Sequence, residues 1–270
     1  MATRAEAEIV ERSAARYRLC CTPPMMAVER DALGTDYGSN GYTTRAQADD
    51  IAARLSLGQR DRVADIGAGS GWPGLYLSTL TGCSVVGTDL PLDGLRRAQA
   101  RVAADGLTGR AAYVVATGGR QPLRLGSFDV AIHTDVLCCL TPKLSVLRAC
   151  RGLLRPRGRL AFTTILVTPG LDPQQQRDAH RAGPIHVAAR RPYPELVAQA
   201  GFVDTIEVDL TAEYERTQRD WYEAAEQRSD ELRALTSGTQ FADAQADRRL
   251  TLDAIAAGLL RRSLFIATRP

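Results

Sequence analysis

The chain has 270 residues, of which 44% are hydrophobic, enough for one large α/β domain or for a core with a small cap. Its 34 basic and 31 acidic residues leave a formal charge of +3 without a run of one sign, which argues against a nucleic-acid or membrane surface. No apolar stretch reaches the roughly 18–20 residues that span a bilayer, and the charged N-terminus lacks a signal-peptide core, so a soluble, cytoplasmic chain is expected.

In chain order, residues 1–20 predict an amphipathic helix with Ile9, Val10, Ala14, Tyr17 and Leu19 near one side. Cys21 to Thr44 reads as irregular, because it holds Pro23-Pro24 and a turn-rich stretch from Gly34 to Tyr42. A helix from about Thr44 to Leu57 follows, with Ala48, Ile51, Ala52 and Leu55 at helical spacing. Strands and helices then alternate at 63–66, 73–80, 84–88, 92–104, 112–115, 129–132, 143–154 and 159–166. Such alternation predicts a parallel sheet with helices on both faces.

Residues 168–192, rich in proline and polar groups, read as a lid loop. A helix over 193–200 ends at Gly201, a C-cap signal, and 203–210 alternates as a strand. Two further helices are expected within 212–258, carrying Tyr214, Trp221, Ala225, Leu232 and Leu235, then Leu252, Ile255, Ala256 and Leu259. The last strand runs from Arg262 to Thr268. The expected organisation is one compact domain. Its core is 46–167 with 193–211 and 262–268, and its cap is 1–45 with the lid 168–192 and the helices of 212–258. The cysteines at 20, 21, 83, 138, 139 and 150 form no C-x-x-C, so reduced thiols and no zinc site are expected.

The segment Val63-Ala64-Asp65-Ile66-Gly67-Ala68-Gly69-Ser70-Gly71 is a buried strand that ends in a glycine-packed turn before a helix. The next strand delivers Asp89 at its carboxyl end, where ligands bind in open parallel sheets. Gly69 to Gly74 also satisfies the dinucleotide pattern G-x-G-x-x-G, but Asp65 would repel a pyrophosphate and suits a cationic ligand. S-adenosylmethionine, with its sulfonium and α-ammonium, is such a ligand. Lys143 is the only lysine, which removes ordinary P-loop chemistry.

On the stretches VADIGAGSG (63–71), VVGTDLP (85–91), SFDVAIHTDVLCCL (127–140), LRACRGLLRPRGRLAFT (147–163) and YPELVAQAGFVDTIEVDLT (193–211), the chain resembles the class I S-adenosylmethionine-dependent methyltransferases. The resemblance implies a Rossmann-like, mostly parallel seven-strand sheet of order 3-2-1-4-5-7-6, with helices on both faces and a helical cap. It also implies that Asp65 and the turn Gly67, Ala68, Gly69 and Gly71 hold the methionine moiety. Asp89 would bind the ribose hydroxyls and Leu90 would pack on adenine. Thr117-Gly118 stands where such proteins carry an acid for the adenine amino group. His133 would approach the ammonium end, and Tyr42 would close over the cofactor.

Methyl transfer from a sulfonium is an in-line displacement in which placement does much of the work. His186, beside the proline-rich lid, His133 and Asp135 are the candidate general bases, and His180 reads as solvated. A carboxylate acceptor would need no base, being ionised at neutral pH. No cluster of acids with metal-holding spacing occurs, and the Asn/Asp-Pro-Pro-Tyr motif of amino-directed nucleic-acid enzymes is missing at 133–136. The expected activity is methylation of a small-molecule acceptor, at an oxygen of a phenol, enol or carboxylate, releasing S-adenosylhomocysteine, with no metal and no nucleic acid. Nitrogen or carbon methylation, a non-catalytic cofactor-binding module, and methylation of RNA or protein are the alternatives.

Overall fold

The computed structural model describes residues 4–39 and 41–270, apart from the side chains of residues 4–9 and 12. Its strands are β1 (Arg62–Ile66), β2 (Ser84–Asp89), β3 (Ala111–Val115), β4 (Phe128–Thr134), β5 (Leu154–Val167), β6 (Val203–Asp209) and β7 (Leu260–Thr268). They form one sheet of order β3-β2-β1-β4-β5-β7-β6. The first five pair in parallel, and β7 lies antiparallel between β5 and β6. The order reverses at β1, so the carboxyl ends of β1, β2 and β4 open a crevice there.

Alternation along each strand sends successive side chains to opposite faces of the sheet. Val63, Val85, Val130 and Ile132 pack against α3 (Arg45–Arg54), α4 (Gly74–Thr81) and α5 (Leu92–Ala104). Ala64, Ile66, Ala131 and Phe162 pack against α6 (Lys143–Leu153) and α8 (Tyr193–Gln199). The Thr44 hydroxyl starts α3 through a capping box with Gln47.

Above the carboxyl ends lies a helical cap of α1 (Arg4–Cys20), α2 (Pro23–Leu33), α9 (Thr211–Glu226), α10 (Ser229–Leu235) and α11 (Gly238–Ala256). Val28, Leu33, Trp221, Leu232 and Phe241 join α2, α9, α10 and α11 in a core of their own. Three expectations change here. The stretch taken as irregular contains α2, since Pro23 and Pro24 occupy the first helical positions, where a missing N–H is harmless. The lid 168–192 contains α7 (Pro173–Ala182), opened by a capping box between Asp172 and Gln175. Finally, 212–258 holds three helices, because Ser237 caps a new one at Gly238. The part of the first-helix expectation that rests on Ile9 lies outside the described residues. No helix of the described residues is long and apolar enough to cross a membrane.

Candidate functional site

The turn after β1 is set by its backbone. Gly67, Gly69 and Gly71 take φ of 75°, 53° and 95°, a region that side-chain-bearing residues avoid. The N–H groups of Gly67 and Ala68 both donate to the Thr88 carbonyl, at 2.7 and 3.0 Å, which ties the turn to β2. A β-carbon at Gly69 would collide with the Tyr17 hydroxyl of α1, so the glycine lets the cap helix close on the turn. At the end of β2, the Asp89 carboxylate accepts N–H bonds from Gly69 and Leu90, each at 2.8 Å. Burial pushes this carboxyl up to about 6, against those two hydrogen bonds. Each oxygen keeps a further lone pair, so the group can still take a ribose hydroxyl.

Residues 37–39 and 41–43 are fastened over the turn. The buried Glu29 carboxylate accepts the N–H groups of Tyr37 and Gly38 at 3.1 and 2.6 Å, and burial pushes it up to about 7. Ser70 Oγ donates to the Gly38 carbonyl at 3.1 Å, and Trp72 Nε1 donates to the Thr43 carbonyl at 2.8 Å. From α5, the Arg101 guanidinium stacks 3.6 Å from the Tyr37 ring centre.

Asp135, just beyond β4 at φ 55°, is the second anchor. Fully buried Arg262 of β7 grips it with two bonds of 2.9 Å. The same guanidinium donates to Gln47 Oε1 at 3.0 Å and to Thr43 Oγ1 at 2.9 Å. Asp135 also receives the Tyr42 N–H at 3.4 Å. The end of β4, β7, α3 and the closing segment therefore meet at one ion pair. This corrects the expectation of Asp135 as a general base: a carboxylate held by a bidentate guanidinium is a positioning group.

A continuous cavity of about 1100 Å³ starts at the turn and runs into the cap. Of the expected site residues, Tyr42, Gly67, Ala68, Gly69, Asp89, Leu90, Gly118 and Asp135 line it. The others do not. Gly71 packs on Leu75 and Tyr113, and Thr117 bridges back to Arg120. Asp65 shares a face with Val63, so it points beneath α4, where it meets Gly74. Burial, then the charge of Asp89, pushes its carboxyl up to about 8, opposed by the Gly74 N–H. It buttresses the turn from below and does not face the cavity.

His133 shares its face with Ala131 and stacks on Phe162 at 4.7 Å, fully buried, with no hydrogen-bond partner on either nitrogen. Burial pulls it down to about 3, so it stays neutral, and it does not line the cavity. At His186 the cavity wall stops one residue short, at Ile185. The His186 carbonyl accepts the Lys143 ammonium at 2.6 Å, and partial burial with that charge holds its imidazole below the ordinary value. The structure thus brings none of the three candidate bases to the cavity as a free base.

The cap side of the cavity presents residues that sequence reasoning did not assign. Tyr214, Gln218 and Trp221 of α9 face it at i, i+4 and i+7 spacing, and Tyr42 meets Tyr214 edge-on at 5.1 Å. Arg16, Cys138, Cys139, Phe241 and Arg248 complete this side. Helical periodicity marked the α9 face, but nothing local marked the two arginines. No group of three or more His, Cys, Asp or Glu suited to a metal occurs among the described residues.

Residues 64–162 match the family described as Methyltransferase domain. The chain is 29% identical over 167 residues to the methyltransferase GfsG of Streptomyces halstedii, a match covering 60% of each chain. It is 29% identical over 189 residues to the 27-O-demethylrifamycin SV methyltransferase of Amycolatopsis mediterranei, covering 68% of each. Among solved structures, the geranyl diphosphate C-methyltransferase from Streptomyces coelicolor with S-adenosylhomocysteine superposes with a TM-score of 0.72 at 20% identity, over 100% of this chain and 99% of that one. The matched stretch thus spans about 60 to 68% of those two curated relatives. One relative is named for an oxygen acceptor and another for a carbon, so the shared scaffold leaves the acceptor atom open.

Proposed function

We propose that this chain, which carries a methyltransferase domain of the class I S-adenosylmethionine-dependent kind, methylates a small-molecule acceptor at oxygen. The observation that carries the reading is the single cavity that joins Asp89 and the glycine turn to the aromatic wall of the cap. When bound, the cofactor supplies a methyl group on a positive sulfur, which an oxygen can take by in-line displacement. Around it, the chain's residues position and enclose. Asp89 would take the ribose hydroxyls, Leu90 would pack on adenine, and the turn 67–69 would leave room for the methionine end. Tyr42 and Tyr17 cover the junction between the two halves, and Asp135 with Arg262 holds Tyr42 in place. With none of His133, Asp135 and His186 presented to the cavity as a free base, the rate comes from placement and from exclusion of water. An acceptor that arrives ionised, such as a carboxylate, suits such a wall.

The test is the fate of methyl-labelled cofactor when the protein meets a size-fractionated cell extract. Label in small, organic-extractable material supports the reading, and mass spectrometry of the product identifies the atom methylated. Label in RNA or protein overturns it. Binding of S-adenosylhomocysteine without transfer of label would instead favour a non-catalytic module.

A further inference from the structure

Among the described residues, four arginines line the cavity, and two of them are already paired. Arg18 holds Asp93 at 2.7 Å, and Arg181 holds Asp178 at 3.1 Å. Arg16 of α1 and Arg248 of α11 differ, since neither forms an ion pair among the described residues. Arg16 lies near Tyr42, whose hydroxyl helps to hold its guanidinium above the ordinary value. Arg248 donates to Gln218 Oε1 at 3.4 Å and stands 4.9 Å from the Trp221 ring centre. Arg16 is exposed and Arg248 half-buried, and both line the cavity. Burial first, and the charge of Arg16 as well, hold Arg248 below the ordinary arginine value. Two guanidinium groups on one cavity wall, each without a carboxylate partner among the described residues, leave a local demand for negative charge.

The acids on the same wall do not meet that demand. Asp89 is engaged by backbone N–H groups and Asp135 by Arg262. Asp247, next to Arg248 on α11, also reaches the wall and pairs with neither arginine. A planar guanidinium with unused donors matches the oxygens of a carboxylate or phosphate. The neighbouring wall, formed by Val28, Trp221, Ala225, Leu232 and Phe241, is apolar.

We infer that Arg16 and Arg248 form the anion-binding end of the acceptor site, and that the acceptor is an amphiphile with an apolar body and an acidic oxyanion group. The inference rests on the methyl-transfer reading and narrows its substrate class. It concerns how the acceptor is held, and it leaves open which atom is methylated.

The experiment is calorimetric titration of the full chain, loaded with S-adenosylhomocysteine, with octanoate, octyl phosphate and octanol. At least one anion is expected to bind about tenfold or more tightly than octanol, as charge-assisted hydrogen bonds require. The tighter of the two anions distinguishes a carboxylate from a phosphate acceptor. Arg16→Gln and Arg248→Gln should each weaken that anion by about tenfold to a hundredfold and leave octanol unchanged. Arg248→Lys should retain part of the affinity, and it decides the matter if a glutamine variant melts early. Equal binding of octanol and the anions, no binding of either anion, or no loss in the variants would overturn the inference. Failure of S-adenosylhomocysteine to bind would instead remove the cofactor reading, and titration of the unloaded chain would then judge the arginines alone.

Discussion

The two halves of the cavity are made of different materials. The half proposed for the cofactor is made of backbone: a turn of glycines, N–H groups aimed at Asp89, and a strand end. The half proposed for the acceptor is made of side chains from α1, α2, α9 and α11, elements far apart in the chain. A backbone site has one shape for any residues that fit its dihedrals. A side-chain site can be refitted by substitution, so one scaffold can serve many acceptors. Between the halves stands the Asp135–Arg262 pair, which fixes Tyr42 at the junction.

The junction offers the sharpest way to break this division. Arg262→Leu would leave Asp135 buried and unpaired, with Thr43 and Gln47 losing donors, and should destabilise the fold by about 3–5 kcal/mol in urea unfolding. The double variant with Asp135→Leu should recover part of that loss. A single variant as stable as the parent would show that the halves are held together elsewhere.

Next in size is Asp89→Ala. Losing a charged acceptor for the ribose should weaken S-adenosylhomocysteine binding by about 1.5–3 kcal/mol in calorimetry. The affinity for octanoate or octyl phosphate should stay unchanged. If both ligands weakened together, the two halves would not be separable.

A pH-dependent effect tests the foundation of the half proposed for the cofactor. The Asp65 carboxyl sits at about 8 in the fold against 3.8 as a free side chain. Between those values the folded chain holds a proton that the unfolded chain has released, so stability falls as pH rises from about 4 to about 8. Asp89, pushed up to about 6, adds to the lower part of that fall. Asp65→Asn should flatten the slope, which urea midpoints at pH 5 and pH 8 would show. An unchanged slope would place the ionised carboxylate in the fold and return Asp65 to the role of counter-charge.

The smallest expected effect lies at the rim. His186→Ala should change the turnover of any acceptor by less than about twofold, because the cavity wall ends at Ile185. A loss beyond tenfold in kcat, at unchanged KM, would restore His186 as the base.

Much of this molecule was legible in the sequence. Strand alternation and the glycine turn gave the sheet, its order through the family resemblance, and the residues 67–69, 89 and 90 that line the cavity. The same alternation held information that role assignment by resemblance passed over. Asp65 follows Val63 onto the α4 face, and His133 follows Ala131 onto the α6 face, so neither was free to reach the cavity. The α2 helix was hidden by two prolines at its start, which read as a break when they mark a beginning.

What the sequence by itself determined is local: dihedrals, caps, periodicity and the carboxyl end of a strand, each fixed within a few neighbouring residues. What only the tertiary structure decided is which charges meet. Arg262 finds Asp135 across 127 residues of chain, whereas Arg16 and Arg248 arrive at one cavity and pair with no acid among the described residues. Pairing energy depends on distance and burial in space, and neither is written in the local order of residues.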